Sequence, residues 1–477
     1  MAGFVKQVKS FPRTFWAANT LELFERWAYY GIFNLLALYL TNSTESGALG
    51  FSQVEKGMIM GIVNAILYFL PVITGSIADK FGYRKVLIIA FVILASGYFL
   101  MSQVTGFNAV FITFFYVAIG AALFKPIISA TIAKTTNDEN SSLGFGIFYM
   151  MINVGGLIGP VMASELREIS WSYMFLMSSA SILVNMVIIL FFYKEQDRKE
   201  NPDSLGKSLK IVFQNIFNVL KDLRFTLFLI IIIGSWTVYW QYFYSLPVFI
   251  EQWTDTSLLY NWLYELWPGF ARAIGTKDGI ILAEKIIALD AFLIVIFQIV
   301  VSTFISRFKA MHSMTVGIIV NTLGLSLAVM TRNPFFLLSS ILIFSLGEMI
   351  FSPKIMEYIG KIAPKGREAL YMGTQFLPIA FGTFFGGFIS GGVYENLADR
   401  TRMTRELLPD TTDLGQSLDQ LSVQAMEHLG MDYQELTNHL WELNNPGKFG
   451  IVLAGMGFTT FIALLIYDRY FFKEVKA

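Results

Sequence analysis

GSIADKFGYRK, residues 75–85, closes one long apolar run, 53–78, and precedes another, 86–103. Each run is long enough to cross the roughly 30 Å hydrocarbon layer of a bilayer as a helix. Asp79, Lys80, Arg84 and Lys85 are charged, so the turn belongs in water or among headgroups while its flanks belong in lipid. An ordinary basic connection explains the charges but not the spaced glycines and the aspartate. Gly75 would let two helices approach closely, Asp79 would face a neighbouring helix end or pair with Arg84, and Gly82 would make the turn.

The rest of the chain repeats this alternation. Its 477 residues are 55% hydrophobic and 15% charged, with 45 Phe and a mean hydropathy of +0.56, which no soluble globule of this size shows. Apolar runs lie at 14–40, 53–78, 86–103, 108–133, 143–165, 171–193, 225–250, 284–306, 314–330, 336–361, 368–396 and 447–471. Long continuous runs predict an all-α membrane protein with 12 transmembrane helices, since a β-barrel would give short alternating ones. Lys and Arg concentrate in the connections on the side of the N-terminus, which puts both termini in the cytoplasm. The opening MAGFVKQVKSFPRTFW has no small-residue cleavage pattern and is read as retained. With no cysteine and a formal net charge of zero, thiol chemistry is excluded and nothing points to nucleic acid.

The charged connection 194–224 divides the chain into an N-terminal six-helix bundle, 1–193, and a C-terminal one, 225–477. Within that connection SLKIVFQNIFNVLKDL has the spacing of a helix lying along the membrane surface. Two outside segments interrupt the second half, 251–283 with its tryptophans and the acidic 396–446. His428 and His439 in the latter lack metal-ligand spacing and read as solvated, and no metal site is expected. The pattern G-x-x-x-D-K-x-G-x-R-K of residues 75–85 resembles the loop between the second and third helices of the major facilitator superfamily. That resemblance implies two six-helix bundles and alternating access. GxxxG spacings at Gly57 and Gly61, Gly155 and Gly159, and Gly382 and Gly386 fit the close helix crossings such a fold needs.

The first run carries ELFERWAYYG, residues 22–31. Glu22, Glu25, Arg26, Tyr29 and Tyr30 follow helical spacing and share one face. A charged group near the middle of a membrane helix costs a few kcal/mol on insertion scales, so that face must look inward. Arg26 stays protonated, whereas burial and a nearby cation act on a carboxyl group in opposite directions and make its proton movable. Lys125 adds a second cation in the fourth run. A structural ion-pair cluster would use the same residues; an ionisable group inside the membrane is by default functional.

ELFERWAYYG resembles the E-x-x-E-R-F-x-Y-Y signature of the proton-dependent oligopeptide transporters, with Trp27 where Phe is usual. LFKP, 123–126, is similar to that family's fourth helix, although Ile127 stands where Asn is frequent. FGIFYMMINVGGLIGP, 145–160, resembles its fifth helix and GEMIFSP, 347–353, its tenth. The resemblance implies proton coupling and carboxylate binding at Glu22, Glu25, Arg26 and Lys125. It implies a peptide cavity lined by Tyr30, Tyr68, Asn153 and Glu348, with Tyr149 and Gln241 assigned more weakly.

The seventh helix departs from the family, because Trp240 stands where an acid should precede Gln241. Asp290 in the eighth run is the expected substitute in proton coupling and amine binding. Lys354 and Glu357 would form an inner-gate pair or a local structural couple. The implied function is proton-coupled symport of di- or tripeptides or peptide-like compounds in a bacterial cytoplasmic membrane. The chain would work as a monomer, with protons, substrate and lipid as partners and no cofactor beyond the proton gradient. The alternatives are a proton-driven exporter of drug-like or amphipathic cations and a non-transporting receptor or scaffold. An enzyme is not expected, since no hydrolase or phosphate-loop motif occurs.

Overall fold

The computed structural model describes residues 8, 10–137, 140–195, 204–364, 367–409 and 417–471, and their regular structure is helical throughout. Residues 196–203 of the central connection and 410–416 of the second outside segment, both placed by the sequence reading, fall outside these. Among the described residues ten helices are long and apolar enough to cross a membrane, and the bent pair Gln53–Phe69 and Pro71–Phe81, taken as one span, makes an eleventh. The helix Arg13–Thr41 is the twelfth, its apolar character diluted by Glu22, Glu25 and Arg26. Each of the twelve runs read from the sequence has its helix.

Local chemistry sets the ends. Pro71 opens the second half of the second span, where its missing N–H costs nothing, and the axis turns by 45° there. Ser170 caps the sixth span, Trp171–Phe191, Asp222 the seventh, Leu223–Tyr239, and Asn333 the tenth, Pro334–Ile362. The two helices of the second outside segment, Leu418–Leu429 and Tyr433–Asn444, each begin with a complete capping box.

The chain separates into two compact units. One holds residues 1–34 and 63–221, the other 35–62 and 222–477. In this grouping residues 35–62 fall with the C-terminal part of the chain. The second half of the first span and the first half of the second pack with the C-terminal part, because glycines there let backbones touch. A Cβ at Gly57 would stand 2.2 Å from the Gly387 carbonyl oxygen, and one at Gly61 would stand 2.9 Å from Gly387 Cα. In the first unit the same device joins the fifth span, Ser141–Arg167, to the first. A Cβ at Gly155 would lie 2.5 Å from Leu23 O and one at Gly159 2.4 Å from Trp27 O.

The 75–85 turn works differently in detail from its sequence reading. Gly82 has φ 97°, which favours glycine. Gly75 has room for a Cβ, with Pro126 Cβ its nearest neighbour at 3.9 Å. Arg84 does not pair with Asp79: its Nη2 donates to Leu190 O at 2.8 Å and its Nε to Ile189 O at 3.3 Å, at the C-terminal end of the sixth span. A cation there also meets the negative end of the helix dipole. Asp79 accepts from the Tyr83 hydroxyl at 3.0 Å, and the Glu195 carboxylate caps the third span, Tyr83–Met101, through the Tyr83 and Arg84 N–H groups, both at 2.8 Å. The surface helix expected within 194–224 is Leu205–Leu220, packed on Pro71–Phe81.

Candidate functional site

In the first unit the inward face of the first span carries the charges. Glu22, Glu25 and Arg26 are 5%, 0% and 5% exposed, so their partners decide whether the cluster is tolerable. Arg26 Nε donates to Glu25 Oε2 at 2.6 Å and lies 3.2 Å from Glu22 Oε1, while Nη2 also pairs with Glu25. One guanidinium thus holds two carboxylates, one a turn below and one adjacent. Glu25 Oε1 is buried with no hydrogen-bond partner among the described residues, so one oxygen of the ion-paired carboxylate remains open to a donor.

Aromatic rings frame the cations. Arg26 Cζ lies 5.1 Å from the Tyr29 ring and 5.8 Å from the Tyr30 ring. Lys125 comes from the fourth span, Phe107–Lys134, beside Pro126 in that helix's interior. Its ammonium is 4.3 Å from the Tyr68 ring and 5.9 Å from Tyr29, and it meets ring faces where a carboxylate would otherwise sit. A half-buried cation among ring faces, with no carboxylate in contact among the described residues, is placed to meet an arriving anion. Asn153, on the fifth span, donates its amide to Tyr149 O at 2.7 Å, and the Tyr149 side chain is exposed. The structure thus brings Glu22, Glu25, Arg26, Tyr30, Tyr68 and Lys125 together, with Tyr29 added.

In the second unit two acids from different helices meet. Asp290, buried on the eighth span, Ala283–Ile305, lies beside Ser345 and Glu348 of the tenth. The Tyr239 hydroxyl donates to Glu348 Oε1 at 3.0 Å. Trp240 is packed among Tyr239, Phe243 and Tyr244. Gln241 is fully buried, its amide donating to Thr237 O and Gly386 O and accepting from Ser245 Oγ at 2.6 Å, so its polar groups serve helix packing. Lys354 Nζ reaches Glu357 Oε2 at 2.7 Å, and Lys361 shares that carboxylate at 2.5 Å.

Tyr239 was not identified from the sequence. A tyrosine one position before Trp240, in a helix of this hydrophobicity, needs a partner for its hydroxyl, and that need was the available signal.

A sequence profile of the Major Facilitator Superfamily matches residues 18–271. The dipeptide and tripeptide permease A of Erwinia pyrifoliae is 29% identical over 209 residues, 42% of this chain and 41% of the permease. The match thus spans less than half the length of that relative. A Na(+), Li(+), K(+)/H(+) antiporter of Planococcus maritimus is 22% identical over 391 residues, 79% of this chain and 88% of the antiporter. Among solved structures, a POT family transporter in complex with 5-aminolevulinic acid superposes with a TM-score of 0.69 at 18% identity, covering 97% of this chain and 99% of the other.

Proposed function

The chain belongs to the Major Facilitator Superfamily, and from that premise we propose that it is a proton-coupled symporter taking up di- or tripeptides or peptide-like compounds by alternating access. The observation that carries the reading is the first unit's cluster, in which Arg26 is shared by Glu22 and Glu25 while Lys125 faces aromatic rings. A substrate carboxylate drawn to Arg26 and Lys125 competes with Glu22 and Glu25 for the same cation. The displaced carboxyl then gains affinity for a proton, so binding of an anionic end and uptake of a proton favour one another. Coupling of this kind requires differential interaction and nothing more.

The second unit supplies complementary chemistry. Asp290 and Glu348, with the Tyr239 hydroxyl, form an acidic group suited to a primary amine. Asp290 and Glu348 also pass a proton between them, taking over what Trp240 cannot do. Tyr30, Tyr68, Asn153 and Tyr149 supply rings and polar edges for the peptide body; Gln241 keeps its helix in place. Lys354 and Glu357 act as an inner couple.

The test is uptake of a radiolabelled dipeptide into proteoliposomes under an inward proton gradient, with efflux of a lipophilic cation measured in parallel. Gradient-dependent accumulation of the peptide is the expected result. Cation efflux without peptide uptake would replace the reading by an exporter.

A further inference from the structure

Lys56 lies at the start of the second span and is 0% exposed, yet among the described residues none of the groups that contact its ammonium is a carboxylate. Its Nζ donates to Gln53 Oε1 at 2.7 Å and to Tyr244 O at 2.9 Å, and it sits 5.1 Å from the Tyr394 ring. Gln53 passes the interaction on, donating from Nε2 to Asp399 Oδ1 at 3.0 Å. Asp399 also accepts from Gln252 Nε2 at 2.7 Å and from the Arg402 N–H at 3.1 Å. A buried cation is thus tied to a buried carboxylate through one glutamine, across 346 residues of chain. All these groups belong to the second unit, whereas the second span continues from Val63 as part of the first.

Two features mark this as a contact built to open. Immediately below it Gly57 and Gly61 lie against Gly387 and Gly391 with no room for side chains, a surface of backbone that separates without unthreading anything. Gly391 lies in a π turn, Ile389–Val393, and such turns break the helical ladder where helices bend. The ammonium is also held by neutral oxygens away from water, and release into water restores its hydration.

On the far side the network is braced. Arg400, next to Asp399 and 2% exposed, donates to Gln252 O at 2.9 Å, to the Tyr433 hydroxyl at 3.0 Å and to Thr437 Oγ1 at 2.7 Å. Tyr433 and Thr437 lie on the last helix of the acidic outside segment. That segment carries no part of the proposed transport chemistry, and here it holds Arg400.

We propose that Lys56, Gln53 and Asp399 form the outer lock of the transport cycle, and that the helix Tyr433–Asn444 is its brace through Arg400. The proposal rests on the alternating-access reading. The lock must part for the outer end of the second span to leave residues 244–252 and 394–399, and it must reform before the inner side opens.

The chain has no cysteine, so Met60→Cys, one turn below Lys56 at a site 0% exposed, gives a single reporter for a membrane-impermeant maleimide added outside. In this background Asp399→Asn keeps the helix cap but removes the charge. It should raise the labelling rate at least about tenfold, roughly 1.4 kcal/mol towards the open form. Gln53→Leu should do the same from the other side of the bridge and guards against a folding defect in the first variant. Equal rates in the parent and in both bridge variants would overturn the lock. If dipeptide uptake fails in the Met60→Cys parent and in the unmodified chain while the labelling contrast holds, the lock stands and the peptide reading falls.

Discussion

Replacing Arg26 by lysine keeps the charge and removes the fork. The guanidinium meets Glu25 through two nitrogens and Glu22 through Nε at 3.2 Å. A lysine ammonium is one point on a flexible stem and cannot reproduce that planar arrangement. At least one charge-assisted hydrogen bond is lost, worth about 1.5–3 kcal/mol. At 1.4 kcal/mol per factor of ten this corresponds to about a ten- to hundredfold fall in peptide uptake. Arg26→Lys should therefore be nearly as damaging as Arg26→Ala. The assay is initial-rate dipeptide uptake in proteoliposomes at a fixed inward proton gradient, with reconstituted protein quantified for each variant. A lysine variant transporting within about twofold of the parent would refute the reasoning and reduce Arg26 to a structural counter-ion.

Glu22→Gln and Glu25→Gln should each abolish proton-driven accumulation while leaving peptide counterflow at least partly intact, because shape is kept and the titrating group is lost; full accumulation in both contradicts this. Asp290→Asn removes one of two neighbouring buried carboxyls and should shift or flatten the pH profile of uptake more than Glu357→Gln does, since Glu357 is held by Lys354 and Lys361; superimposable Asp290→Asn and parent profiles would remove Asp290 from the mechanism. Gly155→Ala drives a Cβ to 2.5 Å from the Leu23 carbonyl and should cost about 1–3 kcal/mol. Gly75→Ala, whose Cβ meets only Pro126 at 3.9 Å, should stay within about 0.5 kcal/mol. Thermal melting of the detergent-purified variants separates the two glycines, and equal melting temperatures would contradict the packing argument.

The helices of this protein are legible because crossing a bilayer needs only apolar length, a property of each segment alone. The run 14–40 and the helix Arg13–Thr41 agree to one residue at each end. The charged face at 22–30 is legible for the same reason, since helical spacing fixes which side chains share a side. What the sequence hides is what depends on a second helix. Gly75 and Gly57 look alike in the chain, yet only Gly57 meets a backbone. Arg84 has an aspartate five residues away and instead takes carbonyls more than a hundred residues on. Tyr239 shows its purpose only once Glu348 is beside it. Lys56 stands out as an ionisable residue in an apolar run, but its link to Asp399 has no local trace.

The central claim is that movement of a peptide and movement of a proton are one event. Proteoliposomes holding a trapped pH-sensitive dye, with equal pH on both faces and the membrane potential clamped by potassium and valinomycin, receive an external dipeptide. The account predicts that the interior acidifies as the peptide enters, that protein-free vesicles stay unchanged, and that Glu22→Gln and Glu25→Gln abolish the signal. Peptide entry without acidification, or acidification that follows an imposed sodium or potassium gradient and ignores the peptide, would contradict it.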